Sequence, residues 1–200
     1  VAHCGADRAG PVFAENLGCR GERASGFSDV INQQHIAALN TLQIASLKNE
    51  FINALNGAQG WGLTTGQIKA LSLNQVMALS TDVFGQLRKD QITALSVAQV
   101  KAIETRDIAG ITVSQLQAMT SLQVAAMSTN QVQSLGTAIL ASLTPIQFAR
   151  FTSAQIKAMD SRQIGVLTSS QILQLSASQL QAIDALHIAA IRANQLTGLS

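Results

Sequence analysis

The sequence repeats one phrase of eight residues. Between Thr152 and Ile183 it reads TSAQIKAM, DSRQIGVL, TSSQILQL and SASQLQAI, with Ser, Thr or Asp first, Gln fourth and apolar residues fifth and eighth. Steps of eight from His35 to Gln195 visit 21 positions, of which 15 are Gln, without one insertion or deletion. A repeat this strict constrains the fold more than any other feature, because every copy must form a similar local structure.

The spacing of the apolar residues in each octad selects a helix. Ile156 and Met159 are three residues apart, so a strand would place them on opposite faces, whereas a helix makes them neighbours. One continuous helix fails as well, because eight residues advance it by ~800° and its apolar stripe would rotate by ~80° per octad. The helix must therefore be interrupted once in every octad.

The polar residues of each octad predict where the helix begins. Ser, Thr or Asp followed three residues later by Gln forms a capping box: the first side chain accepts from the backbone N–H of the third helical residue, and the Gln reaches back to the N–H of the cap. The predicted capping residues are Thr64, Gln67, Ser72, Gln75, Ser96, Gln99, Thr112, Gln115, Thr120, Gln123, Ser128, Gln131, Thr144, Gln147, Thr152, Gln155, Asp160, Gln163, Thr168, Gln171, Ser176 and Gln179. The apolar residue that precedes each cap stands where a hydrophobic staple is expected.

Pro145 supports this phase, since it follows Thr144 at the first helical position, where proline loses no hydrogen bond. Helices of about two turns are unstable alone, so the octads must stack on one another. The sequence therefore predicts an all-α solenoid or superhelix of very short helices with a strict 8-residue repeat. The hand and the number of octads per turn do not follow from the sequence.

We divide the chain into an irregular N-terminal lead-in or cap (1–29) and an octapeptide-repeat α-solenoid (30–200), expected to be a fragment of a longer array. Within the solenoid, 57–63 is a Gly-rich irregular octad with the only Trp of the chain, and is interpreted as a hinge or as the start of the regular array. Cys4 and Cys19 lie in the lead-in, and both a disulfide and two free thiols are open. Together with His3 they are too few ligands for a zinc site.

Some octads lack both members of the capping box. Lys48, Glu104 and Gly136 stand at cap positions, and Phe51, Asp107 and Ile139 occupy the corresponding Gln positions. The hypothesis from the sequence is that the break weakens there and that adjacent helices partly merge.

The composition favours no catalytic or cofactor chemistry. Only 12% of the residues are charged and the net charge is +2, with Lys and Arg scattered singly, which argues against nucleic-acid binding. No apolar run is long enough to span a bilayer. We find no nucleophile elbow, P-loop, dinucleotide fingerprint or metal-binding motif, and expect no enzyme, cofactor or metal. His35 and His187 occupy Gln positions and are interpreted as capping substitutes.

The tract from about Gly66 to Ser200, above all LTTGQIKALSLNQVMAL and LTSSQILQLSASQLQAI, resembles the LTxxQIxAL repeat tracts of large bacterial secreted or cell-surface proteins. The resemblance implies an exported, adhesin-like setting and carries no catalytic residues. LTPIQFARF (143–151) also looks like the opening of a TAL-effector repeat. That repeat is much longer and has a second helix and a base-reading loop, so the likeness is a shared helix start.

We therefore expect a structural or interaction module, a spacer or adhesion scaffold of an exported protein, whose protein or cell-surface partner is unidentified and which could also self-associate. Candidate contact residues point outward: Trp61, Lys69, Met77, Lys101 and Lys157. The alternative is an intracellular protein-binding solenoid, such as an effector that is delivered into a host cell. Less favoured are nucleic-acid binding and ice or crystal binding by the Thr residues that recur in register.

A proline scan tests the octad helix. Pro at Ser161 or Ser169, both first helical positions, is expected to leave stability nearly unchanged, whereas Pro at Lys157 or Leu173 removes a helical hydrogen bond and should cost ~3 kcal/mol or more. Thermal unfolding followed by circular dichroism measures the difference. Equal losses at both kinds of position would refute the octad helix.

Overall fold

The structure is a computed structural model that describes residues 31–196, apart from the side chain of Asn194. In this range it contains twenty α-helices, a final 3₁₀ turn and no strand, so the predicted all-α solenoid of short helices is confirmed. The lead-in 1–29, with Cys4, Cys19 and His3, lies outside the described residues, and its boundary stays a prediction.

The helices are only four to six residues long and follow one another once per octad. In chain order they are α1 (Gln33–Ala38), α2 (Thr41–Ser46), α3 (Asn49–Asn53), α4 (Gly57–Gly62), α5 (Thr65–Ala70), α6 (Leu73–Ala78), α7 (Thr81–Gln86), α8 (Lys89–Ala94), α9 (Val97–Ala102), α10 (Thr105–Ala109), α11 (Val113–Ala118), α12 (Ser121–Ala126), α13 (Thr129–Gln133), α14 (Thr137–Ser142), α15 (Pro145–Phe148), α16 (Ser153–Ala158), α17 (Ser161–Gly165), α18 (Ser169–Leu173), α19 (Ala177–Gln181) and α20 (Ala185–Ala190), followed by the 3₁₀ turn Ala193–Gln195.

Extended residues separate consecutive helices. Leu71 ends α5 with φ −61° and ψ 133°, and Ser72 follows with φ −68° and ψ 163° before α6 begins. These angles lie in the β region, so the chain changes direction without glycine and without positive φ. The Leu at the end of the octad points into the core while the Ser caps the next helix.

The core is continuous along the solenoid. In nearly every octad the apolar residue after the Gln position and the apolar residue at the end of the octad are buried, as Ile156 and Met159 are. Phe148 and Phe151 add a tilted ring contact with centroids 5.5 Å apart. Each buried aliphatic side chain contributes roughly 1.5–3 kcal/mol, which compensates for the instability of such short helices.

One turn of the solenoid takes between three and four octads. Each helix packs mainly on the third helix along the chain, as α2 on α5 and α5 on α8. Hydrogen bonds from the fourth octad along also reach back, as from Gln75 at the start of α6 to the carbonyls of Ile44 and Leu47 at the end of α2. Residues about 25 to 31 apart in sequence therefore face each other between turns.

The hypothesis that helices merge where the capping box is lost is wrong. Lys48, Glu104 and Gly136 make no side-chain cap hydrogen bond, yet each has an extended backbone, with ψ of 152°, 149° and 143°, and a separate helix follows. Packing against neighbouring turns fixes the length of every octad, so the break persists without its local cap.

The glycines of the octad that contains Trp61 permit close approach between turns. This octad forms α4, with Asn56 as its cap and the same hydrogen bonds as its neighbours. A Cβ at Gly62 would lie 2.6 Å from the carbonyl oxygen of Gln33, and a Cβ at Gly60 would lie 2.4 Å from Cγ1 of Val83. The sequence singled this octad out as irregular, and the structure continues the repeat through it.

Two alanine substitutions separate close packing from helix propensity. Gly62→Ala places a methyl group against backbone and should destabilise the protein by ~1–3 kcal/mol. Gly85→Ala, where no atom lies within 4 Å of the new Cβ, should stabilise helix α7 by up to ~1 kcal/mol. Urea unfolding of both variants gives the comparison, and a stabilising Gly62→Ala would contradict the close approach.

Candidate functional site

Each regular octad opens with two reciprocal hydrogen bonds. In α12 the Thr120 hydroxyl accepts from the backbone N–H of Gln123 at 3.2 Å, and Oε1 of Gln123 accepts from the backbone N–H of Thr120 at 2.8 Å. All the Ser, Thr or Asp and Gln pairs that the sequence predicted make this pair of contacts. The polar residues of the repeat are thus engaged by their own backbone.

The Gln side chain also bonds the preceding turn, which sequence reasoning missed. Nε2 of Gln123 donates to the carbonyl of Leu95 at 2.7 Å and to the carbonyl of Ile92 at 2.9 Å, 28 and 31 residues earlier. We call the set of residues that donate to the carbonyl 28 residues earlier the glutamine ladder: Gln59, Gln67, Gln75, Gln91, Gln99, Gln115, Gln123, Gln131, Gln155, Gln163, Gln171, Gln179 and Gln195.

One signal in the sequence could have revealed the ladder. A capping box accepts either Glu or Gln at the third helical position, yet none of the 21 positions holds Glu. A carboxylate offers only acceptors, whereas an amide also offers two N–H donors. Strict exclusion of Glu therefore indicates that the amide N–H groups are needed, and the ladder is where they are used.

The two histidines at Gln positions reproduce parts of this arrangement. Nδ1 of His187 lies 3.4 Å from the backbone N–H of Asp184, and its Nε2 lies 2.7 Å from the carbonyl oxygen of Met159, 28 residues earlier. His35 accepts from the backbone N–H of Asn32 at 3.2 Å. Both positions support the interpretation as capping substitutes, and His187 also continues the ladder.

Asp107 is the one carboxylate at a Gln position, and the residue is buried, with 1% exposure. Oδ1 accepts from the Thr81 hydroxyl at 2.6 Å and lies 3.7 Å from Nε of Arg106. Burial raises the pKa of Asp107, nearby Glu104 raises it further, and the Thr81 hydroxyl and Arg106 only partly offset this. An acceptor thus occupies a position where the ladder supplies donors.

The other ion pairs are local and lie at the surface. The guanidinium of Arg88, hydrogen-bonded to Asp90 at 3.1 Å, lowers the pKa of Asp90. Slight burial opposes ionisation of Asp160, but hydrogen bonds from Arg162 and from the backbone N–H of Gln163 outweigh it, so the pKa of Asp160 is lowered. Exposed pairs of this kind contribute little to stability.

The contact residues predicted from the sequence lie on separate helices. Trp61, Lys69, Met77, Lys101 and Lys157 occupy the fifth helical position of α4, α5, α6, α9 and α16, and all five are exposed. Among the described residues no hydrogen bond, ion pair or ring contact joins any two of them, so the structure does not gather them into one site.

Trp61 has a partner that the sequence did not suggest. The guanidinium of Arg88 lies 4.8 Å from the centre of the indole ring and donates to the carbonyl of Trp61 and, at 3.5 Å, to the carbonyl of Leu63. A cation over an aromatic face is attractive. Trp61 nevertheless keeps 47% of its surface exposed, so this pair both links two turns and presents an aromatic face outward.

Other residues at the fifth helical position link turns too. The side chains of Asn53 and Thr93 donate to the carbonyls of Ala78 and Ala118, each 25 residues further on, at 3.1 and 3.2 Å. Asn or Thr at the fifth helical position therefore joins two turns by a side-chain hydrogen bond. Lys or Met at the same position makes no such bond in the described chain and points to the outside.

An apolar row that the sequence analysis did not single out lies on the outside. Leu73, Val97, Leu122 and Ile146, one each from α6, α9, α12 and α15, recur every third octad at the first or second helical position. Leu122 and Ile146 are 73% and 72% exposed, and α6 packs on α9 and α9 on α12. We refer to these four residues as the apolar row.

Residues 31–196 contain no group of three His, Cys, Asp or Glu side chains that could hold a metal ion. Two open depressions, one beside Arg192 and one between Ile31 and Asn56, hold no cluster of titratable side chains. In the same range no helix is long and apolar enough to cross a membrane.

Comparison with known families gives two consecutive matches to the ALTTAQ repeat, over residues 100–137 and 140–177. The matches begin a whole number of octads apart, so both fall in the register of the repeat. They support a repeat tract over these two stretches. No curated protein and no solved structure is significantly similar to the chain.

Replacing one ladder glutamine by glutamate tests the need for its N–H groups. Gln123→Glu keeps the capping acceptor but aims a carboxylate at two backbone carbonyls, and should cost ~3 kcal/mol or more at neutral pH. Gln147→Glu is the matched control, because Gln147 makes both capping hydrogen bonds but no donation to the described turn before it. Equal and small losses in urea unfolding would contradict the ladder.

Asp107→Asn should stabilise the protein at neutral pH. The raised pKa of Asp107 favours its protonated form in the folded state, so that contribution is complete below the unfolded pKa near 4 and is lost as pH rises through the folded pKa. Asn cannot ionise and keeps an acceptor for the Thr81 hydroxyl. Urea unfolding at about pH 7 and about pH 3 should show a gain at the higher pH alone; a loss at both would overturn this.

Proposed function

We propose that the chain is a non-enzymatic structural repeat module that serves as a spacer or adhesion scaffold in an exported bacterial protein. The observation that carries this proposal is the glutamine ladder. The repeated residues cap helices, form hydrogen bonds between turns or pack in the core. No buried side-chain polar atom of the described residues lacks a hydrogen-bond partner. What remains for function is the outer surface.

The ladder supports the spacer role. The ladder glutamines join successive turns by hydrogen bonds of the same kind, so adding octads with Gln at this position adds length without a new kind of contact. Few charges and many Ser and Thr residues on the outside suit an extracellular setting.

The apolar row supports an interaction role. Large apolar side chains are exposed at every third octad, and three of their helices, α6, α9 and α12, pack on one another, which is more than the single scattered residues of an ordinary surface. The half-exposed Trp61 beside Arg88 adds an aromatic and cationic contact of the kind that is enriched in protein interfaces.

A protein partner would suit the alternative function as well, that of an intracellular protein-binding solenoid. The surface arginines do not favour nucleic acid, because Arg88, Arg106 and Arg162 each pair with a neighbouring carboxylate. The exported module and the intracellular protein-binding solenoid therefore differ in the compartment where the protein acts.

Antibody labelling of the native bacterium tests export. Antibodies against residues 31–196 should label intact cells or detect the protein in culture medium. Labelling that appears only after lysis, with a cytoplasmic marker released in parallel, would contradict export and favour the intracellular alternative.

Beads coated with the purified protein test the interaction role on host cells or on the surface of the producing species. Replacing the four residues of the apolar row by Ser should abolish retention of the beads. The control replaces Leu42 and Leu186, which are 80% and 75% exposed but lie outside the row, and should retain binding. Unchanged retention of the row variant would remove the row from the proposal.

A further inference from the structure

Among the Gln positions whose earlier turn is also described, three hold a residue that cannot donate a ladder hydrogen bond. Val83, Asp107 and Ile139 occupy the Gln position of α7, α10 and α14, and none of the three side chains carries an N–H donor. Gln147 also makes no ladder bond, but there Arg150 donates to the carbonyl of Met119 at 2.8 Å, 31 residues earlier. We call Val83, Asp107 and Ile139 the ladder gap.

The gap lies along one side of the solenoid. From α7 to α10 is three octads and from α10 to α14 is four, and one turn takes between three and four octads. Each member therefore lies about one turn above the last. The octads on the opposite side, such as those of Gln99, Gln123 and Gln155, keep the ladder.

Contacts across the gap are of another kind. The carbonyls that a glutamine would reach belong to Leu55, Leu79 and Ile111, each 28 residues before a gap residue. Leu55 receives only a 3.5 Å contact from the Ser80 hydroxyl, and no described side chain donates to Leu79 or Ile111. The carboxylate of Asp107 instead accepts from the Thr81 hydroxyl of α7. It therefore makes no hydrogen bond to the Leu79 carbonyl, which follows α6.

We infer that neighbouring turns of the solenoid separate first along the ladder gap, so that the solenoid bends by opening on this side while the glutamine side acts as the hinge. Two donated hydrogen bonds per turn are missing on the gap side, whereas apolar packing continues around the whole circumference. The easier opening is expected at Asp107 and Ile139 above all, because at α7 the backbone N–H of Gly57 donates to Oδ2 of Asp82 at 2.6 Å and joins the turns there.

Native-state hydrogen exchange measured residue by residue tests the inference in the unmodified protein. The backbone N–H groups of Leu79 and Ile111 each donate to a carbonyl that no ladder residue holds, whereas those of Leu95 and Ile103 donate to the held carbonyls of Ile92 and Val100. Protection factors should be about tenfold lower at Leu79 and Ile111. Equal protection at the four residues would overturn the proposal.

A second experiment places a glutamine at one residue of the ladder gap. Ile139→Gln should raise the protection of Ile111 about tenfold and leave Leu79 unchanged. The matched control is Ile146→Gln, the same chemical change at an exposed position outside the ladder, which should change neither. No gain at Ile111 in a folded Ile139→Gln variant would overturn the proposal.

Substitutions at Asp107 test the same inference independently, in case the Ile139→Gln variant does not fold. Asp107→Gln should raise the protection of Leu79 about tenfold beyond that of Asp107→Asn. Asn removes the buried charge but is one methylene shorter than Gln, so the difference between the variants isolates the restored bond to the earlier turn. Identical protection in the two variants would contradict the inference.

Discussion

The two ends of one side-chain amide hold this structure together. In Gln123 the oxygen fixes the start of its own helix, at the backbone N–H of Thr120, while the nitrogen holds the carbonyls of Ile92 and Leu95 in the turn below. Since the same planar group makes both contacts, the start of each helix is positioned directly over the end of an earlier one. Burial strengthens the constraint, because an amide removed from water must satisfy both of its ends. Local capping and long-range register are therefore one interaction.

Helices of four to six residues gain stability here from stacking and not from length. Each helix is too short to persist alone, and its two large buried residues are covered only when neighbouring turns are present. The helices also remain separate at Lys48, Glu104 and Gly136, where the local cap is missing. The breaks between helices therefore depend on neighbouring turns as well. Stability in such a chain is a property of neighbouring turns, as in other repeat architectures.

What could be predicted from the sequence was local. The period, Pro145 and the paired cap residues predicted the helix phase and the buried positions, because all of them act within one octad. Contacts between residues 25 to 31 apart were beyond such reasoning, since nothing within an octad shows how many octads complete a turn. The partner of Trp61, Arg88, lies on the next turn, and the close approach of Gly62 to Gln33 is of the same kind. The apolar row could not be recognised from the sequence, because its members lie 24 or 25 residues apart and come to one side only when the chain coils.

A turn that is not a whole number of octads gives insertions and deletions an unusual effect. Loss of one octad would leave every cap, core position and Gln in register, because the repeat is uninterrupted. Everything beyond the deletion would nevertheless rotate about the axis by between a quarter and a third of a turn, since a turn takes between three and four octads. If the lost octad lay between Val97 and Leu122, Leu122 and Ile146 would no longer lie on the same side as Leu73 and Val97. Changes in repeat number can thus redirect the outer surface of the molecule without altering a single side chain on it.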